Sequence, residues 1–140
     1  TSEAAERHGA RLVNKENLFR HSDIVTLHLV LSTRTRGIVG ATEFDWMKPT
    51  AYLINTSRGP LVDEGALIEA LRNRAIAGAA LDVYDTEPLP KSHPFRLLDN
   101  VLATPHVGFV SEAGYRVFYH GVVEDIAAWL SGSPIRVMNK

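Results

Sequence analysis

"AYLINTSRGPLVDEGAL", residues 51–67, is the stretch of sequence that decides the fold class. It opens with a bulky apolar run, residues 51–56, that has no helical period and is typical of a buried strand. Further on, Asp63 offers a side-chain cap and Glu64 suits the positive end of a helix dipole, so a helix is predicted to begin there. A buried strand followed by a helix is the repeating unit of parallel α/β sheets.

The same two kinds of segment alternate along the rest of the chain. Further strands are predicted over residues 10–13, 23–29, 75–84 and 101–104. Further helices are predicted over residues 15–21, 41–47 and 112–130, the last one capped by Ser111. This alternation predicts an α/β fold with a doubly wound parallel sheet and helices on both faces. The final helix has an apolar surface too broad for one sheet face, so we expect it to contact more than one neighbour.

Composition narrows the range of partners. The chain has 140 residues, of which 45% are hydrophobic and 22% charged, as is usual for one globular domain. A formal net charge of -1 gives no basic field for nucleic acid, and no apolar run reaches the length of a membrane span. The sequence has no cysteine, and its histidines and carboxylates lack the spacing of metal ligands, so we expect no metal ion.

Four polar side chains stand at the ends of predicted strands. Arg58 follows the strand over residues 51–56, Asp82 lies near the end of the next strand, and Glu87 comes shortly after it. His106 follows the last strand. Because parallel strands have their carboxyl ends at one edge of the sheet, we expect these side chains to converge on one crevice.

Three of these residues suggest a specific chemistry. A lone arginine on a loop would most simply be solvated, but in a crevice Arg58 can grip a carboxylate with two charge-assisted bonds and polarise an adjacent carbonyl. His106 can exchange a proton near neutral pH, and Glu87 can orient its ring. This set suits a 2-oxo acid, and reduction of its carbonyl needs a hydride, which a nicotinamide cofactor provides and a side chain does not.

Two long segments resemble a known family. "INTSRGPLVDEGALIEALRNRAIAGAALDVYDTEPLP" and "HPFRLLDNVLATPHVGFVSE" are similar to the D-isomer-specific 2-hydroxyacid dehydrogenases, and the likeness extends from about Arg11 to the tail. The resemblance implies a Rossmann-like fold in which Arg58 binds the substrate carboxylate, His106 is the general acid/base and Glu87 is its partner. It also implies cofactor contacts from Leu29, Val30, Ser32, Thr56, Ser57, Arg58, Asp82, His106, Val107 and Gly108.

The resemblance has one clear departure, because no G-x-G-x-x-G motif occurs in the chain. We therefore expect a truncated Rossmann-like sheet that lacks its first two strands and the Gly-rich loop. Residues 1–110 would be a partial dinucleotide-binding domain, and residues 111–140 a crossover helix and tail that return to a substrate lobe. The family implies NAD as cofactor; NADP stays open, because the residue that discriminates between them follows the second strand.

The sequence leaves three functions open. The first is reduction of a small 2-oxo acid to a D-2-hydroxy acid, or the reverse. We expect the complete protein to be a cytoplasmic homodimer and this chain to be inactive by itself. The second is an NADH-sensing protein similar to the corepressors related to this family, and the third is an inactive remnant. Formate is disfavoured as substrate, because formate dehydrogenases of the family carry glutamine where this chain has Glu87.

Overall fold

The computed structural model describes residues 1–138, and its centre is one four-stranded parallel sheet. The strands are β1 (Ile24–Leu27), β2 (Tyr52–Asn55), β3 (Gly78–Leu81) and β4 (Val101–Ala103), and they lie side by side in that order. Leu27, Asn55 and Leu81 are paired across β1, β2 and β3, and Leu81 is paired in turn with Ala103 of β4. All four strands therefore end in one row, and with the flanking helices they confirm the α/β, Rossmann-like class.

Residues 1–138 form five α-helices: α1 (Ser2–Arg7), α2 (Lys15–His21), α3 (Ala41–Trp46), α4 (Glu64–Arg72) and α5 (Glu112–Leu130). Two short 3-10 turns, Gly59–Leu61 and Pro94–Arg96, lie in loops. The predicted caps are confirmed, because Asp63 accepts a hydrogen bond from the N–H of Ala66 at 2.9 Å and Ser111 accepts one from Gly114 at 3.1 Å. Helix α1 is the one helix of residues 1–138 that the sequence did not predict.

The strand predicted over residues 10–13 is wrong. These residues connect α1 to α2 and have no regular structure. A strand persists only where a neighbour completes its hydrogen-bond ladder, and in the described chain β1 pairs with β2 alone. The strand expected over residues 75–84 is confirmed only in its middle, Gly78–Leu81.

The core lies on one face of the sheet. Side chains alternate along β1 and β2, so that Val25 and Leu53 are buried while Ile24 and Tyr52 on the opposite face are 60% and 51% exposed. On β4, Leu102 is 67% exposed. Each connection moves one strand further in the same direction, and right-handed connections of that kind bring their helices to the same face. The expected cover on both faces is therefore not met among the elements between residues 1 and 106.

The chain divides into two compact units, Thr1–His106 and Val107–Lys140. In the second unit, α5 has no buried residue, and its apolar side chains include Val117 and Trp129, which are 70% and 69% exposed. The predicted tail ends at Lys140, and residues 139–140 lie outside the described part of the chain. Among residues 1–138, no helix has both the length and the apolar character needed to cross a membrane.

Candidate active site

The carboxyl ends of the four strands form the edge at which the predicted site residues of the first unit lie. The ladder continues slightly past the strands, because the N–H of Asp82 donates to the carbonyl of Asn55 at 3.0 Å and that of Thr104 donates to Leu81 at 2.9 Å. Arg58 leaves the edge after β2 and His106 leaves it after β4. The expected row of strand ends is thus present, and the chemical roles of these residues stay predictions.

Glu87 and His106 are in direct contact. Nδ1 of His106 lies 2.6 Å from Oε2 of Glu87, and the two side chains are 40% and 34% exposed. The other carboxylate oxygen, Oε1, accepts a hydrogen bond from the N–H of Tyr84 at 2.9 Å. Because an ionised carboxylate only accepts hydrogen bonds, Nδ1 must carry the hydrogen of the shared bond, which fixes the orientation of the ring.

The electrostatic surroundings keep Glu87 ionised. Partial burial by itself would raise the pKa of Glu87, but this effect is outweighed by the hydrogen bonds from His106 and from the N–H of Tyr84. The positive charges of His106 and Arg58 act in the same direction, so the pKa of Glu87 lies below its ordinary value. The charge of Arg58 therefore acts on Glu87, as the smallest of these effects.

Arg58 is exposed, and its loop is well defined by hydrogen bonds. Its Nη1 donates to the carbonyl oxygen of Ser57 at 2.6 Å. The amide of the buried Asn55 spans the turn, accepting from the N–H of Ser57 at 3.1 Å and donating to the carbonyl oxygen of Arg58 at 2.9 Å. The main chain that carries Arg58 is thus anchored to the end of β2.

Gly59 joins the Arg58 loop to the segment that carries Glu87. A Cβ at Gly59 would overlap the carbonyl group of Tyr84 and would lie 2.6 Å from the nitrogen of Asp85. Only glycine permits so close an approach of two backbones. The position of Arg58 along the sheet edge is therefore set against the same backbone that holds Glu87.

A cleft of about 430 Å³ opens beside this edge, between the loops that follow β1 and β2. The predicted cofactor residues that line it are Leu29, Val30, Thr56, Ser57 and Arg58. Ser57 connects the two strand ends by donating from its hydroxyl to the carbonyl oxygen of Leu27 at 2.7 Å. His28 also lines the cleft. Its place inside the predicted strand over residues 23–29 favours a buried, hydrogen-bonded histidine, but His28 is exposed because β1 ends one residue before it.

The other predicted cofactor residues lie outside this cleft. Ser32 belongs to a turn in which the hydroxyl of Thr35 accepts from the N–H of Ser32 at 2.8 Å and donates to the carbonyl of Val30 at 2.7 Å. Asp82 is 5% exposed, and its Oδ1 accepts from the hydroxyl of Thr104 at 2.5 Å. Val107 and Gly108 are exposed at the start of the second unit.

The residues at this edge fit the nicotinamide half of a dinucleotide. Leu29 and Val30, 43% and 84% exposed, offer apolar surface for a ring, and Thr56 offers a hydroxyl. Asp82 is buried and bonded to Thr104, and its predicted contact with the cofactor stays a prediction. Among residues 1–138, no group of histidines and carboxylates could hold a metal ion.

Comparison with known proteins identifies the family. Residues 1–108 match the domain described as "D-isomer specific 2-hydroxyacid dehydrogenase, NAD binding domain". The chain belongs to this family. Membership agrees with the parallel sheet and with the cleft at its carboxyl edge, which is where open α/β sheets bind their ligands.

Relatives within the 2-hydroxyacid dehydrogenase family are longer than this chain. The glyoxylate reductase of Aeropyrum pernix is 40% identical over 133 residues, which are 94% of this chain and 40% of that protein. The phosphoglycerate oxidoreductase of Vibrio cholerae superposes with a TM-score of 0.85 at 34% identity, over 94% of this chain and 42% of the other. The NAD complex of a D-isomer specific 2-hydroxyacid dehydrogenase from Lactobacillus delbrueckii superposes with a TM-score of 0.72 at 33% identity, over 89% of this chain and 42% of the other. The chain spans less than half of each.

Reasoning from the sequence missed three residues that support the candidate site. Asn55 bonds to the Arg58 loop, Tyr84 bonds to Glu87, and Thr104 bonds to Asp82. A signal existed for Asn55, since an asparagine before a turn commonly binds the backbone two residues on. Tyr84 acts on Glu87 through its main chain, so its residue type carries no signal.

Proposed function

We propose that the complete protein, meaning this chain with any residues that accompany it in the native polypeptide, interconverts a 2-oxo acid and a D-2-hydroxy acid with NAD(H). The observation that carries the proposal is the 2.6 Å bond between Glu87 and His106 at the sheet edge that also bears Arg58. A carboxylate-oriented histidine beside an arginine is the equipment that reduction of a 2-oxo acid requires.

Arg58 binds the substrate in this proposal. Its guanidinium grips the substrate carboxylate in a bidentate manner and draws electron density from the adjacent carbonyl. In the structure the same guanidinium donates to the carbonyl oxygen of Ser57, which is a contact that a carboxylate can replace. The loss of this charge should weaken binding of the oxo acid more than binding of the cofactor.

His106 is the general acid in the reducing direction and the general base in the oxidising direction. Because Nδ1 is committed to Glu87, the proton passes from Nε2 to the carbonyl oxygen of the substrate while the carbonyl carbon accepts a hydride. Bound NADH supplies that hydride. The products would then be the 2-hydroxy acid, NAD⁺ and a neutral imidazole. The ionised Glu87 stabilises the protonated ring before transfer.

The cofactor is proposed to be NAD, in keeping with the description of the matched domain. The sequence alone does not discriminate against NADP. The substrate is a small 2-oxo acid, and similarity both to a glyoxylate reductase and to phosphoglycerate dehydrogenases supports the class without selecting one acid. The homodimer and the cytoplasmic compartment stay predictions.

The 140 residues by themselves are expected to bind NADH weakly and to turn over no substrate. The reason is that the Gly-rich phosphate loop occurs nowhere in their sequence. Turnover by a purified chain that begins at Thr1 would contradict this expectation.

The test is NADH oxidation by the complete protein across a panel of 2-oxo acids, with His106→Ala and Arg58→Ala measured in parallel. His106→Ala should lower kcat by roughly 10² to 10⁴-fold while NADH still binds, because the proton donor is lost and the cofactor cleft is not. Arg58→Ala should chiefly raise KM for the oxo acid. NADH binding without any turnover would overturn the proposal and favour an NADH-sensing protein.

A further inference from the structure

Asn55 is the last residue of β2 and is 1% exposed, which is unusual for a polar side chain. Its backbone is fixed on both sides, because it is paired with Leu27 of β1 and Leu81 of β3. Its carbonyl oxygen also accepts the N–H of Asp82 at 3.0 Å. The side chain of Asn55 therefore projects from one of the most constrained positions of the sheet.

Both polar atoms of the Asn55 side chain bond to the next turn of the chain. Its Oδ1 accepts from the N–H of Ser57, and its Nδ2 donates to the carbonyl oxygen of Arg58. The main-chain partners, the N–H of Ser57 and the carbonyl oxygen of Arg58, belong to the peptide groups at the two ends of the segment formed by Ser57 and Arg58. One rigid side chain thus clamps both ends of the segment from which the Arg58 side chain departs.

We propose that Asn55 is a positioning residue, which sets the direction in which Arg58 leaves the sheet edge and thereby the affinity for the 2-oxo acid. The inference rests on the proposed function, because it acts through the carboxylate-binding role of Arg58. A guanidinium grips a carboxylate well only when its planar fork is aligned with the two oxygens. A small rotation of the Arg58 backbone is enlarged along its long side chain, so a fixed backbone is needed at this point.

The decisive variant is Asn55→Asp, in the complete protein. It keeps the size of the side chain and the acceptor for Ser57, but it replaces the donor to Arg58 by an oxygen that faces a carbonyl oxygen. Loss of one buried hydrogen bond of this kind should raise KM for the oxo acid roughly tenfold or more. We expect KM for NADH to change less than about threefold and kcat to fall less than KM rises.

Asn100→Asp is the matched control. Asn100 is a partly buried asparagine whose Nδ2 donates to the carbonyl oxygen of Leu71 at 3.1 Å, and it stands before β4, at the opposite end of the sheet from Arg58. Its substitution removes the same kind of bond and should lower thermal stability while leaving both KM values unchanged. Equal KM changes in the two variants would overturn the inference.

Arg58→Ala, measured alongside, separates the two hypotheses. If Arg58→Ala leaves KM for the oxo acid unchanged, the proposed function fails. If Arg58→Ala raises it and a folded Asn55→Asp does not, the proposed function stands and the inference fails. Should Asn55→Asp not fold, Asn55→Ser is measured with the same expected KM pattern; if neither variant folds, the role of Asn55 is structural and the inference is overturned.

Discussion

The two halves of the candidate site are built in different ways. Arg58 is carried by a turn that is held to the end of β2 by the amide of Asn55, within four residues of sequence. Glu87 and His106 are 19 residues apart, come from the loops after β3 and β4, and meet through one bond between two partly exposed side chains. The first half therefore depends on local backbone geometry, whereas the second depends on the sheet and on ionisation.

Gly59→Ala should have the largest effect, because Gly59 is the point at which the two halves touch. A methyl group there would overlap the carbonyl group of Tyr84, and main chain cannot move aside as a flexible side chain can. We expect a loss of stability of roughly 2–4 kcal/mol and a fall in kcat/KM of at least about 100-fold. Thermal unfolding and steady-state kinetics of the complete protein would measure both.

Gly65→Ala is the control for this prediction. A Cβ at Gly65, in α4, would lie 3.4 Å from Oδ1 of Asp63, which is an ordinary contact, and alanine favours a helix over glycine by about 1 kcal/mol. This variant should be neutral or more stable than the parent. If Gly59→Ala behaved like Gly65→Ala, the two halves would not be set against each other through this contact.

Glu87→Gln should damage only the half that depends on ionisation. Glutamine can keep a hydrogen bond to His106 but removes the charge that stabilises the protonated ring, so we expect kcat/KM for oxo-acid reduction to fall roughly 10 to 100-fold. Its pH–rate profile should also differ from that of the parent. KM for the oxo acid should change far less than in Arg58→Ala.

The lowered pKa of Glu87 also has a consequence for stability, whose direction follows from linkage. A carboxyl group with a lowered pKa stabilises the folded state above the ordinary glutamate range, and this contribution is lost as the pH falls through the lowered value. The stability difference between the parent and Glu87→Gln should therefore shrink on acidification.

For the kinetics of Glu87→Gln, a pH–rate profile identical to that of the parent would contradict the coupling of Glu87 to His106.

Tyr84→Phe tests how the strand ends support the pair. The buried hydroxyl of Tyr84 lies 2.9 Å from the carbonyl oxygen of Leu81 and 2.8 Å from that of Thr104, so it bridges the ends of β3 and β4. Its removal should cost about 1–2 kcal/mol of stability and lower kcat severalfold, because Glu87 and His106 follow these two ends. The pH profile should not move, unlike that of Glu87→Gln.

Tyr52→Phe provides the comparison for Tyr84→Phe, since Tyr52 is 51% exposed on the open face of the sheet. Its stability should change by less than about 0.5 kcal/mol. Equal losses in the two tyrosine variants, measured by chemical denaturation, would contradict a bridging role for the hydroxyl of Tyr84.

Local signals account for what the sequence predicted well. The caps at Asp63 and Ser111 are side-chain bonds to residues three positions further along, so both partners lie within one short stretch of sequence. The convergence of Arg58, Glu87 and His106 followed from one further rule, that parallel strands end at one edge. The fold class and the contact between Glu87 and His106 were therefore within reach of the sequence, whereas the roles of these residues come from the family resemblance and stay predictions.

Strand pairing, strand ends and main-chain contacts, none of which leaves a pattern in the sequence, account for what was missed or wrong. A strand was expected over residues 10–13 from composition, but a strand needs a neighbouring ladder, which composition does not reveal. His28 was expected to be buried because it stands in an apolar run, yet β1 ends before it. Tyr84 holds Glu87 through its backbone N–H, which every residue except proline possesses, so no sequence pattern could mark it.

Asp85→Asn should have the smallest effect. Asp85 lies beside the Gly59 contact between the two halves, and the variant tests whether its negative charge contributes to stability there. Asp85 is exposed at the surface, but partial desolvation raises its pKa, and the negative charges of Glu64 and Asp63 raise it further against the opposing charges of Arg36 and His93. The folded state therefore disfavours the ionised form, so at neutral pH asparagine should raise the free energy of unfolding by about 0.5 kcal/mol or less. The gain should vanish as the pH falls below the ordinary aspartate range, since the carboxyl group is then protonated in both states. Denaturation at neutral and acidic pH, with the exposed Asp45→Asn as control, would measure it; a loss of stability at neutral pH would instead mean that Asp85 is a needed partner of the Gly59 contact.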